Sequence, residues 1–274
     1  MELQKRVAIV TGAGSGIGRA IAIEFARQGA HVACSGRRLD RLQETVAQIE
    51  KGGGTGLAVK ADVTSASDVD RLMQQTIEKF GGLDVLFNNA GSFDSLGAVW
   101  EVDPDVWWKD VTINLRGPML TARAALKIMM KQDSGVIINM NGGGATGPLT
   151  GGSGYGSSKA ALLRLTDTLA AELEKACSKV LVVALGPGFV RTEMTELQAT
   201  SELARKWIPS SKEALDKGQT RPPEDCAKAA VELLRHINPA FNGRIFQTGM
   251  DFTEIAKTLA SEKGKNSLLL RMTS

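Results

Sequence analysis

Histidine, cysteine and tyrosine are scarce in this chain of 274 residues, with two, three and one respectively. His31 and His236 stand far from one another and from other candidate ligands. A zinc site or a histidine-based triad therefore has no support, and no metal is expected. Cys34, Cys177 and Cys226 are odd in number, widely spaced and set among apolar residues, so three buried thiols are expected rather than a disulfide framework. No uninterrupted apolar run approaches the ~18 residues that mark a membrane-spanning helix. No block of one charge sign is present either: 33 Lys and Arg face 30 Asp and Glu, a formal net charge of +3. That dispersal excludes a phosphate-tracking basic stripe, so nucleic acid is not an expected partner. Residues 1–6 lead into an apolar strand without a charged-then-apolar leader, so neither a membrane nor export is expected, and the expected location is cytoplasmic. Solenoid repeats and low-complexity linkers are absent as well.

What is present is 43% apolar content in a chain long enough to bury one large core. Apolar runs at 6–11, 31–35, 56–62, 84–88, 135–139, 180–185 and 244–247 read as strands covered on both faces, because polar alternation is mostly missing. Helical stripes lie between them. Ile17, Ile21 and Phe25 form one; Leu39, Leu42, Val46 and Ile49 form the next; Val69, Leu72, Thr76 and Phe80 form a third, with Ser67 as its expected N-cap and Gly81 as its stop. Strand–helix alternation at this spacing predicts right-handed crossovers and an α/β, doubly wound parallel sheet in a single domain. Two stretches break the rhythm: the glycine-dense segment 142–154 and a strandless insert at 192–220.

Gly12, Gly14, Ser15, Gly16, Ile17 and Gly18 follow the first strand and open the first helix, the context in which glycines let a pyrophosphate approach the backbone and the helix start offers free N–H groups. After the second strand, where a carboxylate would hold ribose hydroxyls, stand Arg37 and Arg38. Paired guanidiniums suit a 2′-phosphate, which favours NADP(H) over NAD(H). Asp62, with Val63 beside it, is a candidate contact for the adenine or else a turn residue. Tyr155 and Lys159 are four residues apart on one helix face, and the lysine charge favours phenolate, which makes the pair a proton donor and acceptor near neutrality.

TGAGSGIG at 11–18, NNAG at 88–91, Asn114, YxxxK at 155–159 and PG at 187–188 together resemble the short-chain dehydrogenase/reductase family over roughly residues 5–250. That resemblance implies a seven-stranded Rossmann sheet, a nicotinamide dinucleotide and hydride transfer to or from a carbonyl or secondary alcohol. By the same resemblance Tyr155 is the acid/base, Lys159 tunes it and holds the nicotinamide ribose, and Asn114 anchors a proton-relay water. Asn89, Ala90 and Gly91 support the cofactor cleft, while Pro187, Gly188, Val190 and Thr192 face the carboxamide. The insert is implied to be a lid, and helices around 120–130 and 160–173 to build a homodimer or homotetramer. Asn114 has a separate argument: Pro118 lacks an N–H, so the carbonyl four residues earlier loses its helical donor, unless the helix simply ends before Gly117.

The pattern fails at one position. The family places a substrate-binding serine thirteen residues before the tyrosine, and here that residue is Gly142. Losing such a donor typically costs about a hundredfold to a thousandfold in rate. Ser153, Asn141 or a backbone N–H takes over the role, or the chain is a cofactor-binding module with little turnover, or the glycines serve turns and the register shifts. Met194, Leu197, Leu203, Trp207 and Ile208 give the lid an apolar side, directed to substrate or packed on its own domain, and Phe93 and Leu96 are placed near the pocket. Trp100, Trp107 and Trp108 are expected to bury against helices or a subunit. Residues 251–274 form a tail whose Leu268–Leu270 segment docks on a neighbour or frays.

Overall fold

A computed structural model of the chain describes residues 1–261 and 267–269. Seven parallel strands, β1 (Val7–Thr11), β2 (His31–Gly36), β3 (Thr55–Lys60), β4 (Val85–Asn88), β5 (Val136–Met140), β6 (Leu181–Gly186) and β7 (Ile245–Gln247), form one sheet in the order β3-β2-β1-β4-β5-β6-β7. The order reverses between β1 and β4, and the crevice outside the carboxyl ends of the strands at such a switch point is where ligands bind.

Helices cover both faces. Along β1, Ala8 and Val10 enter one core and Ile9 the other, as the two-residue period of a strand requires. The first core lies under α1 (Gly16–Arg27), α2 (Leu39–Lys51) and α10 (Pro223–His236); the second lies under α3 (Ala66–Phe80), α5 (Gly117–Gln132) and α6 (Ser153–Lys175). The N-cap of α3 is Ser65, whose Oγ accepts from the Asp68 N–H, not Ser67, because the helix begins two residues earlier than its apolar stripe suggests. Its stop at Gly81 has a φ of 84°, the left-handed conformation that glycine adopts at least cost.

The helix preceding Pro118 does not end there. Backbone helicity passes from α4 (Pro104–Val111) through a π turn at Thr112–Arg116 directly into α5. The wider turn absorbs the proline, and the Gly117 N–H reaches back to the Thr112 carbonyl. The insert forms three short helices, α7 (Glu193–Thr200), α8 (Glu202–Trp207) and α9 (Pro209–Asp216). Part of the tail is α11 (Phe252–Leu259), with Phe252 and Leu259 in the core; Leu268 packs against the same core and its carbonyl accepts from the Ile245 N–H. Leu270 lies outside the described residues.

Burial differs from expectation at one cysteine, and the three tryptophans divide. Cys34 and Cys226 are buried, but Cys177 is exposed in the turn after α6, where its φ is 53°. Trp100 is 81% and Trp108 63% exposed within this chain. Trp107 alone is half-buried, because its ring lies against the start of α6.

Candidate active site

The carboxyl ends of β1, β2 and β4 open on a cavity of about 660 Å³. Its floor is the glycine loop. Gly12 and Gly16 have φ of 66° and 51°, and a Cβ on Gly12 would lie 2.9 Å from Asn89 Nδ2, so only glycine lets these backbones meet. A Cβ on Gly18 would overlap the Gly12 carbonyl oxygen. Side chains pin the loop from beneath: Thr45 Oγ1 donates to the Ala13 carbonyl at 2.9 Å and Arg19 Nη2 to the Gly14 carbonyl at 2.6 Å. At the start of α1 the Ser15 side chain caps nothing and no acidic residue occupies the first turn. Backbone N–H groups and the positive end of the helix dipole are thus left facing the cavity, a cradle that fits a pyrophosphate.

Arg37 and Arg38 line the cavity beside the glycine loop together with Asp62 and Val63. Arg37 makes no ion pair with any described residue. Arg38 Nη2 lies 3.4 Å from both Ser15 Oγ and Glu193 Oε2, bridging the glycine loop to the lid. Asp62 is a turn residue as well as a wall residue: its Oδ1 accepts from the Thr64 N–H and hydroxyl.

Across the cleft, Thr11 Oγ1 accepts from the N–H groups of Asn89 and Ala90, each at 3.0 Å, and stitches the end of β1 to the end of β4. Tyr155 and Lys159, both on α6, line the cavity together. Lys159 is buried, its Nζ donates to the Met140 carbonyl at 2.9 Å, and it sits 5.4 Å from the Tyr155 ring centroid. Burial lowers its pKa to about 8. Tyr155 moves the other way: burial, then the nearby Asp110 carboxylate, pushes it up to about 12. The lowering expected from Lys159 is not found, and desolvation disfavours the phenolate.

The absent serine has a steric explanation. A Cβ on Gly142 would overlap Tyr155 Oη and lie 2.9 Å from Cζ and 3.1 Å from Cε1. Phe93 stacks on the other face of the tyrosine, centroids 4.5 Å apart, and is itself backed by Gly152, where a Cβ would lie 2.6 Å from Phe93 Cζ. Glycine at 142 and 152 therefore makes room for the aromatic pair.

Residues named from sequence separate into two groups. The glycine loop, Arg37, Arg38, Asp62, Val63, Asn89, Ala90, Gly91, Tyr155, Lys159, Pro187 and Thr192 all face the cavity, while Gly188 and Val190 do not. Val190 is buried and its carbonyl accepts from Thr195 Oγ1, so it anchors the start of the insert instead. Ser153 is away from the cavity; its Oγ accepts from Trp107 Nε1 at 3.1 Å, so it does not replace the missing hydroxyl. The Asn114 side chain is buried and clamps Ser92, with Oδ1 accepting from its N–H at 2.9 Å and Nδ2 donating to its carbonyl at 2.8 Å. The insert divides likewise: Met194 and Leu197 face the cavity, whereas Trp207 and Ile208 pack on Gly151.

Two supports went unread in the sequence. Thr121 Oγ1 donates to Asn88 Oδ1 at 2.6 Å, Asn88 Nδ2 to Asn139 Oδ1 at 2.9 Å, and Asn139 Nδ2 to Thr166 Oγ1 at 2.9 Å, a fully buried chain crossing two strands. Asp110, also fully buried, accepts from Ser92 Oγ at 2.5 Å, Ser95 Oγ at 2.6 Å, Ser95 N at 2.8 Å and Asp94 N, and so fixes the loop that carries Phe93. Polar residues inside otherwise apolar strand runs were the available signal for the first. The second had none, since residues 15 to 18 apart in sequence meet only after folding.

This topology, with a glycine cradle at its switch point and a half-buried Tyr155 beside the buried Lys159 across the cleft, defines a doubly wound α/β protein built to receive a dinucleotide. The short chain dehydrogenase family model matches residues 6–202, and the chain belongs to that family of oxidoreductases. A short chain dehydrogenase of Pseudocercospora fijiensis is 40% identical over 271 residues, covering 96% of this chain and 86% of that one. The 3-oxoacyl-[acyl-carrier-protein] reductase of Synechocystis is 37% identical over 209 residues, 76% of this chain and 83% of its own. Among solved structures, an actinorhodin polyketide ketoreductase variant with NADPH superposes with a TM-score of 0.80 at 28% identity, covering 88% of this chain and 95% of that one. No helix among the described residues is long and apolar enough to cross a membrane.

Proposed function

We propose that the protein is an NADP(H)-dependent oxidoreductase acting on a ketone or secondary alcohol. The observation that carries this is the convergence of Tyr155, Lys159 and the glycine cradle on one cavity. A bound nicotinamide supplies or accepts the hydride. Gly12–Gly18 and the start of α1 take the pyrophosphate, Arg37 and Arg38 take the 2′-phosphate, and Asp62 and Val63 border the adenine.

Tyr155, at about 12, keeps its proton at neutral pH and donates it from Oη to a carbonyl oxygen during reduction. Lys159, charged below about pH 8, stabilises the phenolate as the proton leaves. Tyr155 is then reprotonated by Lys159 Nζ, which recovers its proton from solvent on the side of the π turn, where Pro118 cannot serve the Asn114 carbonyl. The Asn114 side chain positions Ser92. A Cβ on Gly91 would lie 3.0 Å from Asn114 Oδ1 and 3.8 Å from Lys159 Nζ, so that glycine keeps the two groups close.

Substituting Tyr155→Phe is expected to lower NADPH-dependent reduction of a ketone panel by about a hundredfold or more while NADPH binding persists. Full activity in the variant refutes the mechanism. A wild-type protein that binds NADPH yet consumes none across aldehydes and ketones is instead a binding module. We also propose that α5, which exposes Met119 and Met130, joins α6 in a symmetric homo-oligomer; light scattering at the monomer mass refutes it.

A further inference from the structure

Two carboxamides that line the cavity have no hydrogen-bond partner among the described residues. Asn141 is 3% exposed; its N–H donates to the Leu185 carbonyl, fixing its backbone, but its Oδ1 is buried without a hydrogen bond. Gln198, on the cavity side of α7, is 5% exposed, and its amide bonds to no other described residue. Buried polar groups are normally paired, and leaving one unmade costs stability. Both residues line the cavity that holds Tyr155, so an incoming molecule is the available partner.

The remaining surroundings restrict that molecule further. Phe93, Leu96, Met194 and Leu197 supply apolar walls. The two carboxylates nearby are already matched, Asp94 by Lys109 at 3.3 Å and Glu193 by Arg38 at 3.4 Å. Among the described residues that line the cavity, the basic ones are Arg37 and Arg38 beside the glycine loop and Lys159, and Lys159 is turned to the Met140 carbonyl. An anionic substrate thus meets no charge to receive it. Asn141 follows Met140, whose carbonyl accepts from Lys159, and precedes Gly142, which abuts Tyr155, so its backbone stands beside the Tyr–Lys pair.

We infer that the substrate is an uncharged, largely apolar ketone carrying a second hydroxyl or carbonyl within a few bonds of the reacting carbonyl, read by the amides of Asn141 and Gln198. This rests on the hydride-transfer reading above. A carboxamide offers both a donor and an acceptor, which is why either second group is accommodated.

The test compares 1-phenylpropane-1,2-dione with propiophenone. Because a dione is intrinsically more electrophilic, the ratio of the two kcat/KM values in the wild type is set against the ratio in Asn141→Leu and Gln198→Met, which remove the amides at similar volume. Each variant is expected to reduce the ratio roughly tenfold, the worth of one buried hydrogen bond. In parallel, calorimetry on the Tyr155→Phe protein with NADP+ is expected to show the dione binding at least about tenfold more tightly than the monoketone. Unchanged ratios in both variants, or equal calorimetric affinities, overturn the inference. If Asn141→Leu does not fold, Gln198→Met on the lid carries the kinetic comparison. A wild type that turns over neither ketone yet binds the dione preferentially sinks the hydride-transfer reading and leaves the substrate class standing.

Discussion

Restoring a serine at position 142 should harm this protein. In Gly142→Ser the new Cβ overlaps Tyr155 Oη and crowds two ring carbons at 2.9 and 3.1 Å, where ordinary contact needs more than 3.4 Å. The ring has nowhere to go. Phe93 is stacked 4.5 Å away, and behind Phe93 stand Gly152 and Leu149. Relief requires the tyrosine oxygen to move by about 1 Å, a displacement that typically costs about a hundredfold in rate. Overpacking adds about 1–3 kcal/mol of destabilisation, a few degrees in melting temperature for a chain of this size. The phosphate end lies elsewhere in the cleft, so NADPH affinity should change little. The assay is ketone reduction by Gly142→Ser, Gly142→Ala, Phe93→Ala and the double variant Gly142→Ser with Phe93→Ala. Both single variants should lose activity to a similar degree, because the Cβ and not the hydroxyl is at fault. Removing Phe93 should return part of what the serine cost, a coupling that the double-mutant cycle measures. Serine equal to or faster than wild type refutes the steric reasoning.

Three further outcomes follow from the same geometry. Lys159 has its pKa lowered to about 8, so its charge is lost as pH rises through that value, and kcat/KM should fall above pH 8; Lys159→Met should lose activity and this limb of the profile together, and a limb that survives the substitution refutes its assignment to Lys159. Arg37→Ala should raise the KM for NADPH by roughly tenfold, as expected for a charge-assisted contact, and leave NADH nearly unaffected; equal effects on both refute the 2′-phosphate role. Asp110 raises the Tyr155 pKa, so Asp110→Asn should lower the midpoint of tyrosinate absorbance, a signal free of overlap because the chain has a single tyrosine; an unmoved midpoint removes the electrostatic link.

The strands themselves, the glycine cradle and the pairing of Tyr155 with Lys159 were legible because each is encoded within a short stretch. Apolar runs without alternation predict strands covered on both faces, and a loop between strand and helix identifies itself by its glycines. The π turn at Thr112–Arg116 was half legible: Pro118 announced the lost donor, but not whether the helix would stop or widen.

Other features come from contacts between segments far apart in sequence. Ser153 sits two residues from Tyr155, yet helix geometry turns it to Trp107, and no local pattern reports that direction. Asp110 reads as one surface acid among thirty Asp and Glu until folding brings Ser92 and Ser95 around it. Gly142 shows the division most clearly. By sequence it is a missing hydroxyl; in three dimensions it is space taken by the tyrosine itself. Local sequence thus determined which elements form and which chemical groups reach the cleft, because helix, strand and turn preferences act over a few residues. Tertiary structure decided the environment of those groups, the burial that shifts their pKa values and the neighbours that fix their positions, because solvent exclusion and steric exclusion depend on everything packed around a side chain.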